Sequence, residues 1–390
     1  MSFASLIASR NPRRRPTVTR TTTAPGESYR PALDGLRTVS VAAVLCYHMD
    51  AAQGGYLGVD VFFVLSGFLI SSLLLDELAR SGGVALAAFY QRRAVRLLPA
   101  FYVYLACGLA LVLLFKGPSQ QHLFYQGAVA SLLFVNNWLK AVRPASGGSW
   151  LGHVWSLSVE EQFYLLWPIL LLALARSRVA RNRLSAAILT LVSLSVLGQL
   201  LLVGTGASEP RIYFGADTRA TELLIGCALA AWQHGHAGEA HARLTSGLGR
   251  LGLPAFIALG VLVVIAPPLG RLSWFDWGGF AFVGALAALV IVGADKRPDL
   301  RWVRLLGSRP MSWLGRRSYA FYLWHFPVTA VAHANLRGRI GTPLATVIAA
   351  TISVGLAALS HRMVEAPIRR RYKSHLASRP RVNTTNPSSQ

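Results

Sequence analysis

The sequence predicts an all-α polytopic membrane protein of about ten transmembrane helices, with a re-entrant or outward-lying segment near 122–139. The first observation is composition. Only 14% of the 390 residues are charged and 53% are hydrophobic, with mean hydropathy +0.43, whereas soluble domains carry about a quarter charged residues. The second is that apolar runs recur along the whole chain, including "VFFVLSGFLISSLLL", "FYVYLACGLALVLLF", "FYLLWPILLLALA" and "AAILTLVSLSVLGQLLLVG". The third is where the charge lies. The 39 Lys and Arg, which bring the net charge to +23, sit mostly in short segments flanking those runs, as orientation in a bilayer requires. No basic stripe interleaved with aromatics marks a soluble domain, so nucleic acid is excluded as the partner and the lipid bilayer takes its place.

Residues 1–30, with "RNPRRRPTVTRTTTAPGESYR", are rich in Arg, Thr and Pro and hold no apolar core of signal-peptide length. They read as a disordered basic cytoplasmic tail. Residues 31–372 form the membrane domain, and 373–390 read as a second disordered tail. Eleven apolar segments are centred near 43, 66, 107, 130, 164, 193, 226, 259, 285, 326 and 352. If all crossed, the basic loop "RSRVARNR" (176–183) and the terminal "RRRYK" would lie outside. Treating 122–139 as non-crossing puts both inside, together with "QRRAVR" and "HARLTSGLGR". The expected location is therefore the cell membrane, multi-pass, with both termini cytoplasmic. Cys46, Cys107 and Cys227 lie in apolar segments without CxxC spacing and read as buried free thiols.

Ionisable residues at membrane depth cost about 2.5–3.5 kcal/mol on insertion scales, so each needs a partner or a task. The first helix holds "LRTVSVAAVLCYHMD", in which Arg37 and His48 are eleven positions apart. That spacing brings them to nearly the same face, about 16 Å apart along the axis. The second carries Asp60 near its outward end and Ser66 near mid-membrane. Arg93 and Arg96 follow one turn apart at the inner face, where they set orientation or clamp phosphate. "GHVWSLSVEEQFYLLWP" brings Trp155, Ser156, Glu160, Glu161 and Tyr164 to the start of an apolar helix. A serine cap explains one acid there, and the company of His153, Trp155 and Tyr164 points instead to a polar pocket. "SYAFYLWHFPV" places His325 in an aromatic segment before Pro327. No HExxH, GxSxG or P-loop spacing occurs, and no metal site is expected.

Arg37 with ten residues to His48, "GVDVFFVLSGFLI", "FYQRRAVRLLPAFY", "WSLSVEEQFYLLWP" and "SYAFYLWHFPV" together resemble the integral-membrane acyltransferase-3 family, whose members include bacterial O-acetylases of surface polysaccharides and acylases of antibiotic sugars. The match runs in family order from 30 to 372. The resemblance implies ten transmembrane helices and acyl-CoA as a donor substrate, with no tightly bound cofactor. It also implies transfer of an acetyl or short acyl group to a hydroxyl of a sugar or glycosylated acceptor: an envelope glycan, a lipid-linked sugar or a macrolide-type metabolite.

On that reading Arg37, Arg93 and Arg96 bind the donor's phosphates, and His48 is the general base that deprotonates the acceptor. An acyl-histidine or acyl-serine step stays open. Glu160 or Glu161 orients His48 or binds acceptor hydroxyls. Asp60, Ser66, Trp155, Ser156, Tyr164 and His325 line the substrate pocket. The competing reading is a transporter or flippase using the same buried charges as a path. The charged membrane residues concentrate in the first half of the chain, which favours the enzyme.

Overall fold

The computed structural model describes residues 29–144, 148–177, 183–235, 238–267 and 274–378. Among the described residues all regular structure is helical. The expected N-terminal tail lies outside them except for its last two residues, as do 178–182 of the basic loop at 176–183. The last helix reaches Ser378, and 379–390 again lie outside.

Thirteen helices frame the site. They are α1 (Pro31–His48), α2 (Gly58–Ser81), α3 (Leu86–Phe115), α4 (Pro118–Leu132), α5 (Asn136–Val142), α6 (Trp155–Arg176), α7 (Leu184–Gly204), α8 (Ala216–Gly235), α9 (Gly252–Ile265), α10 (Phe280–Lys296), α11 (Ser318–Asn335), α12 (Thr342–Ser360) and α13 (Ala366–Ser378). Seven stretches among the described residues are long and apolar enough to cross a membrane: Gln53–Ser81, Leu86–Phe115, Gly152–Arg176, Leu184–Gly204, Glu239–Ile265, Phe275–Lys296 and Thr342–Leu376. The protein is a multi-pass membrane protein. Helices α1, α8 and α11 have 18, 20 and 18 residues but are interrupted by polar groups.

The segment expected not to cross is broken in two. Helix α4 ends at Leu132, Phe134 takes a positive φ of 54°, and α5 begins at Asn136. The amide of Gln162 donates to the Phe134 carbonyl (2.6 Å) and to Asn137 Oδ1 (2.8 Å). The Asn136 amide donates back to Ser131 Oγ (2.7 Å). A backbone break away from water needs such side-chain partners, because unpaired peptide groups are costly in hydrocarbon.

Helix α2 forms the centre: 83% of its most apolar window is buried, against 11% for α7, whose Leu189, Leu194, Leu197 and Leu201 face outward. Such a leucine face is what lipid solvates. The closest packing is between α2 and α8. A Cβ on Gly67 would collide with the Leu223 carbonyl, and one on Gly226 with the Val64 carbonyl. Small residues at helix crossings in membranes allow this backbone approach. The three cysteines are free, with Cys227 buried and Cys46 and Cys107 partly so.

Candidate active site

The polar residues gather in four places, three of them aligned along α1 and α6. The first is at the C-terminal end of α1. His48 Nδ1 lies 3.1 Å from His325 Nε2, and His325 Nδ1 lies 2.7 Å from the Tyr322 carbonyl. A carbonyl only accepts, so His325 Nδ1 carries the proton there. In neutral His325 the Nε2 is then a lone pair, and His48 Nδ1 must donate to it. The relay leaves His48 Nε2 as an unprotonated nitrogen, which is what a general base requires.

His153 completes this group. Its ring meets His325 edge-on (centroids 5.4 Å, 85°) and stacks on Phe326 (4.7 Å, 22°). Phe326 in turn receives His48 edge-on (4.8 Å, 85°). The Tyr322 hydroxyl donates to the His153 carbonyl (2.8 Å) and stands 2.6 Å from Ser156 Oγ. Ser156 is thus joined to the histidines through Tyr322.

The second place is one turn along α6. Positions 156, 160 and 164 fall on one helical stripe. Ser66 from α2 donates a short hydrogen bond to Glu160, and the Tyr164 hydroxyl donates to Ser66 Oγ (2.9 Å). The guanidinium of Arg93 lies over the Tyr164 ring, 3.4 Å from its centroid, a cation–π contact. Glu161 interacts electrostatically with Arg93 but stands outside this chain of hydrogen bonds.

The third is a cavity of about 400 Å³ at the opposite end of α1, lined by Asp34, Arg37, Arg96, Arg316, Arg317, His361 and Arg369. Asp34 engages Arg37 (3.0 Å) and accepts from Tyr29 (2.9 Å), so the lone acid of the lining is occupied. Arg317 stacks on Trp313, 4.0 Å from the ring centroid. Glu365 stands 3.4 Å from His361 and 3.8 Å from Arg369. Five arginines against one lining carboxylate make a site for an anion with several oxygens. Of the expected phosphate clamp, Arg37 and Arg96 line the cavity, while Arg93 sits deeper, on Tyr164.

The fourth place holds Asp60 and Trp155, which the sequence reading assigned to the pocket. Asp60 forms a short ion pair with Arg219, and Arg219 Nη1 lies 3.1 Å from Glu222; all three are at most 1% exposed. The Arg219 guanidinium also lies 4.2 Å from the Phe280 ring centroid and 5.9 Å from that of Trp155. Asp60 therefore serves a buried ion group that locks α2 to α8. Trp155 is a wall of that group.

Sequence reasoning set His153 beside Trp155 and Tyr164 in a polar pocket without giving it a role, and passed over Arg219, Glu222, Arg316, Arg317, His361 and Arg369 as site residues. Arg219 and Glu222 were findable as ionisable residues in an apolar helix. The arginines of the cavity resemble ordinary orientation signals until the fold brings four distant segments together. Among the described residues no cluster of His, Cys, Asp or Glu has metal-holding geometry.

Residues 30–362 match the model of an acyltransferase domain. The chain is 37% identical over 354 residues to the putative peptidoglycan O-acetyltransferase YrhL of Bacillus subtilis, covering 87% of this chain and 55% of that protein. It is 34% identical over 361 residues to the O-acetyltransferase OatA of Staphylococcus aureus (88% and 58%). With the peptidoglycan O-acetyltransferase OatA of Listeria monocytogenes it shares 32% over 359 residues (90% and 57%). The chain thus spans just over half the length of these curated relatives. No solved structure matches it.

Proposed function

The chain belongs to the acyltransferase-domain family, and from that premise we propose that it transfers an acetyl or other short acyl group from acyl-CoA to a hydroxyl of an envelope glycan such as peptidoglycan. The observation that supports this best is the two-ended layout of α1. Its Arg37 end opens on the arginine-lined cavity, and its His48 end meets the histidine relay. The two are about 16 Å apart along the helix. The phosphates of the donor occupy the cationic cavity, and the pantetheine arm reaches toward His48.

In the reaction the acceptor oxygen attacks the thioester carbon while His48 Nε2 takes the hydroxyl proton. The new C–O bond forms and the C–S bond breaks. The proton then passes from His48 to the thiolate sulfur, giving ester and free thiol. His325 fixes the tautomer and orientation of His48. Glu160, held by Ser66 and beside Tyr164, orders the polar middle of the path. The same reading has α1, α8 and α11 cross along with the seven apolar stretches, with Arg37 and both termini on the cytoplasmic side. A cysteine at Ser177 then resists an impermeant thiol reagent in intact cells, and labelling there would overturn that orientation.

The test of function is thiol release and ester formation by purified protein in nanodiscs, supplied with radiolabelled acetyl-CoA and soluble glycan fragments. Acceptor-dependent release that disappears in His48→Ala supports the proposal. Release that is equal in both proteins removes His48 as the base. No release with any acyl-CoA rejects the donor.

A further inference from the structure

Among the described residues, neither ring nitrogen of His153 has a hydrogen-bond partner, although the residue is 3% exposed. The ring is held from several sides: Phe326 on its face, Tyr104 (5.7 Å, 87°) and His325 at near right angles, and Tyr322 at 5.3 Å. Its backbone is fixed by the Tyr322 hydroxyl. Leaving a buried polar group unpaired is costly, and packing alone would be served as well by phenylalanine.

One clue gives the ring a direction. Pro327 lies inside α11 and has no N–H, so the carbonyl four residues earlier, that of Leu323, loses its helical donor. That carbonyl acts on the His153 ring, though without hydrogen-bond geometry. A carbonyl attracts the N–H side of a neutral imidazole, which turns the lone-pair nitrogen away from it. His48 and His153 touch the same two rings, His325 and Phe326. A group bound at His48 therefore lies within reach of His153.

We propose that His153 is the specificity-determining contact for the acceptor: its unpartnered ring nitrogen accepts a hydrogen bond from a second donor, a neighbouring hydroxyl or an amide N–H, beside the hydroxyl that reacts at His48. This rests on the acyl-transfer reading above and adds the class of acceptor, a sugar with two adjacent donors in place of a simple alcohol. A site that leaves a buried acceptor unpaired discriminates strongly against an analogue lacking the matching donor.

The experiment uses the full chain in nanodiscs with acetyl-CoA and two sets of acceptors: methyl N-acetyl-glucosaminide, and its analogues lacking one hydroxyl or the acetamido group. In the wild type, one analogue that keeps the reacting hydroxyl loses about 10–100-fold in kcat/KM, the value of one hydrogen bond to a buried partner. In His153→Phe that discrimination vanishes, while the KM for acetyl-CoA stays within about two-fold. His153→Gln, whose amide oxygen accepts, restores part of it. Full discrimination in His153→Phe overturns the assignment. So does an equal loss for every acceptor in both variants accompanied by a matched fall in Tm, which marks a packing role. Absence of thiol release by the wild type defeats the acyl-transfer reading and this assignment with it, whereas release with unchanged discrimination defeats this assignment alone.

Discussion

His48 Nδ1 and His325 Nε2 lie 3.1 Å apart although 277 residues separate them in the chain. Helices α1 and α11 therefore share one proton-bearing contact, and its direction is set by the Tyr322 carbonyl at the far side of His325. His325→Phe keeps the ring volume and removes the acceptor that holds His48. Turnover should fall about 100-fold with little change in KM for acetyl-CoA, on the scale of a lost acid–base orientation. Steady-state kinetics decides it, and an unchanged kcat would sink the relay.

The arginine-lined cavity makes a different demand. Arg316→Ala and Arg369→Ala should each raise the KM for acetyl-CoA about 10-fold while leaving kcat near wild type, the loss of one charge-assisted contact. Arg93→Ala should do the reverse and lower kcat, because Arg93 stands over Tyr164 beside the Glu160 group. Donor affinity should also weaken as salt rises. Binding of acetyl-CoA that ignores these arginines would place the donor elsewhere.

Arg219→Met leaves Asp60 and Glu222 buried without a counter-charge. Breaking a buried group in this way costs about 3–5 kcal/mol, so Tm in detergent should drop sharply. Adding Asp60→Asn to that variant should recover part of the loss. If the double variant is no better than the single, charge burial is not the cause.

Outside the membrane segments, Asp50 accepts from His333 Nε2 (2.9 Å) and pairs with Arg337. The His333 hydrogen bond, followed by the Arg337 charge, holds its carboxyl below the usual range. Because the folded value is lowered, the contact stabilises the protein above the unfolded pKa of about 3.9. That stability is lost as pH falls through the lower folded value. Asp50 takes a positive φ of 53°, which asparagine tolerates. Asp50→Asn should therefore unfold slightly earlier at neutral pH, by an amount kept small by solvent screening. The gap from wild type should close in strong acid. A gap that persists below pH 3 would point to backbone strain instead.

The all-helical membrane character was legible from composition and the recurring apolar runs, because a bilayer imposes both directly on the sequence. The pairing of Arg37 and His48 on one stripe was legible as well, since helical periodicity alone relates them. What was hidden depends on which helices meet. Asp60 read as a pocket residue until α8 supplied Arg219. Arg93 read as the twin of Arg96, yet one turn of helix sends it to Tyr164 while Arg96 lines the cavity. His153 read as company for Trp155 and Tyr164 in a polar pocket, and its neighbours became visible only through α11, where His325 and Phe326 close around it.

The glycine contacts between α2 and α8 have a mechanical consequence. With the Leu223 carbonyl filling the space above Gly67, and the Val64 carbonyl that above Gly226, neither helix can slide or roll past the other without a backbone collision, and the ion group between them acts as a pin. This pair is the stator of the molecule. On the acyl-transfer reading proposed above, any movement that admits the acceptor falls to helices other than this pair, so cross-linking α2 to α8 should leave turnover intact where tethering α11 arrests it.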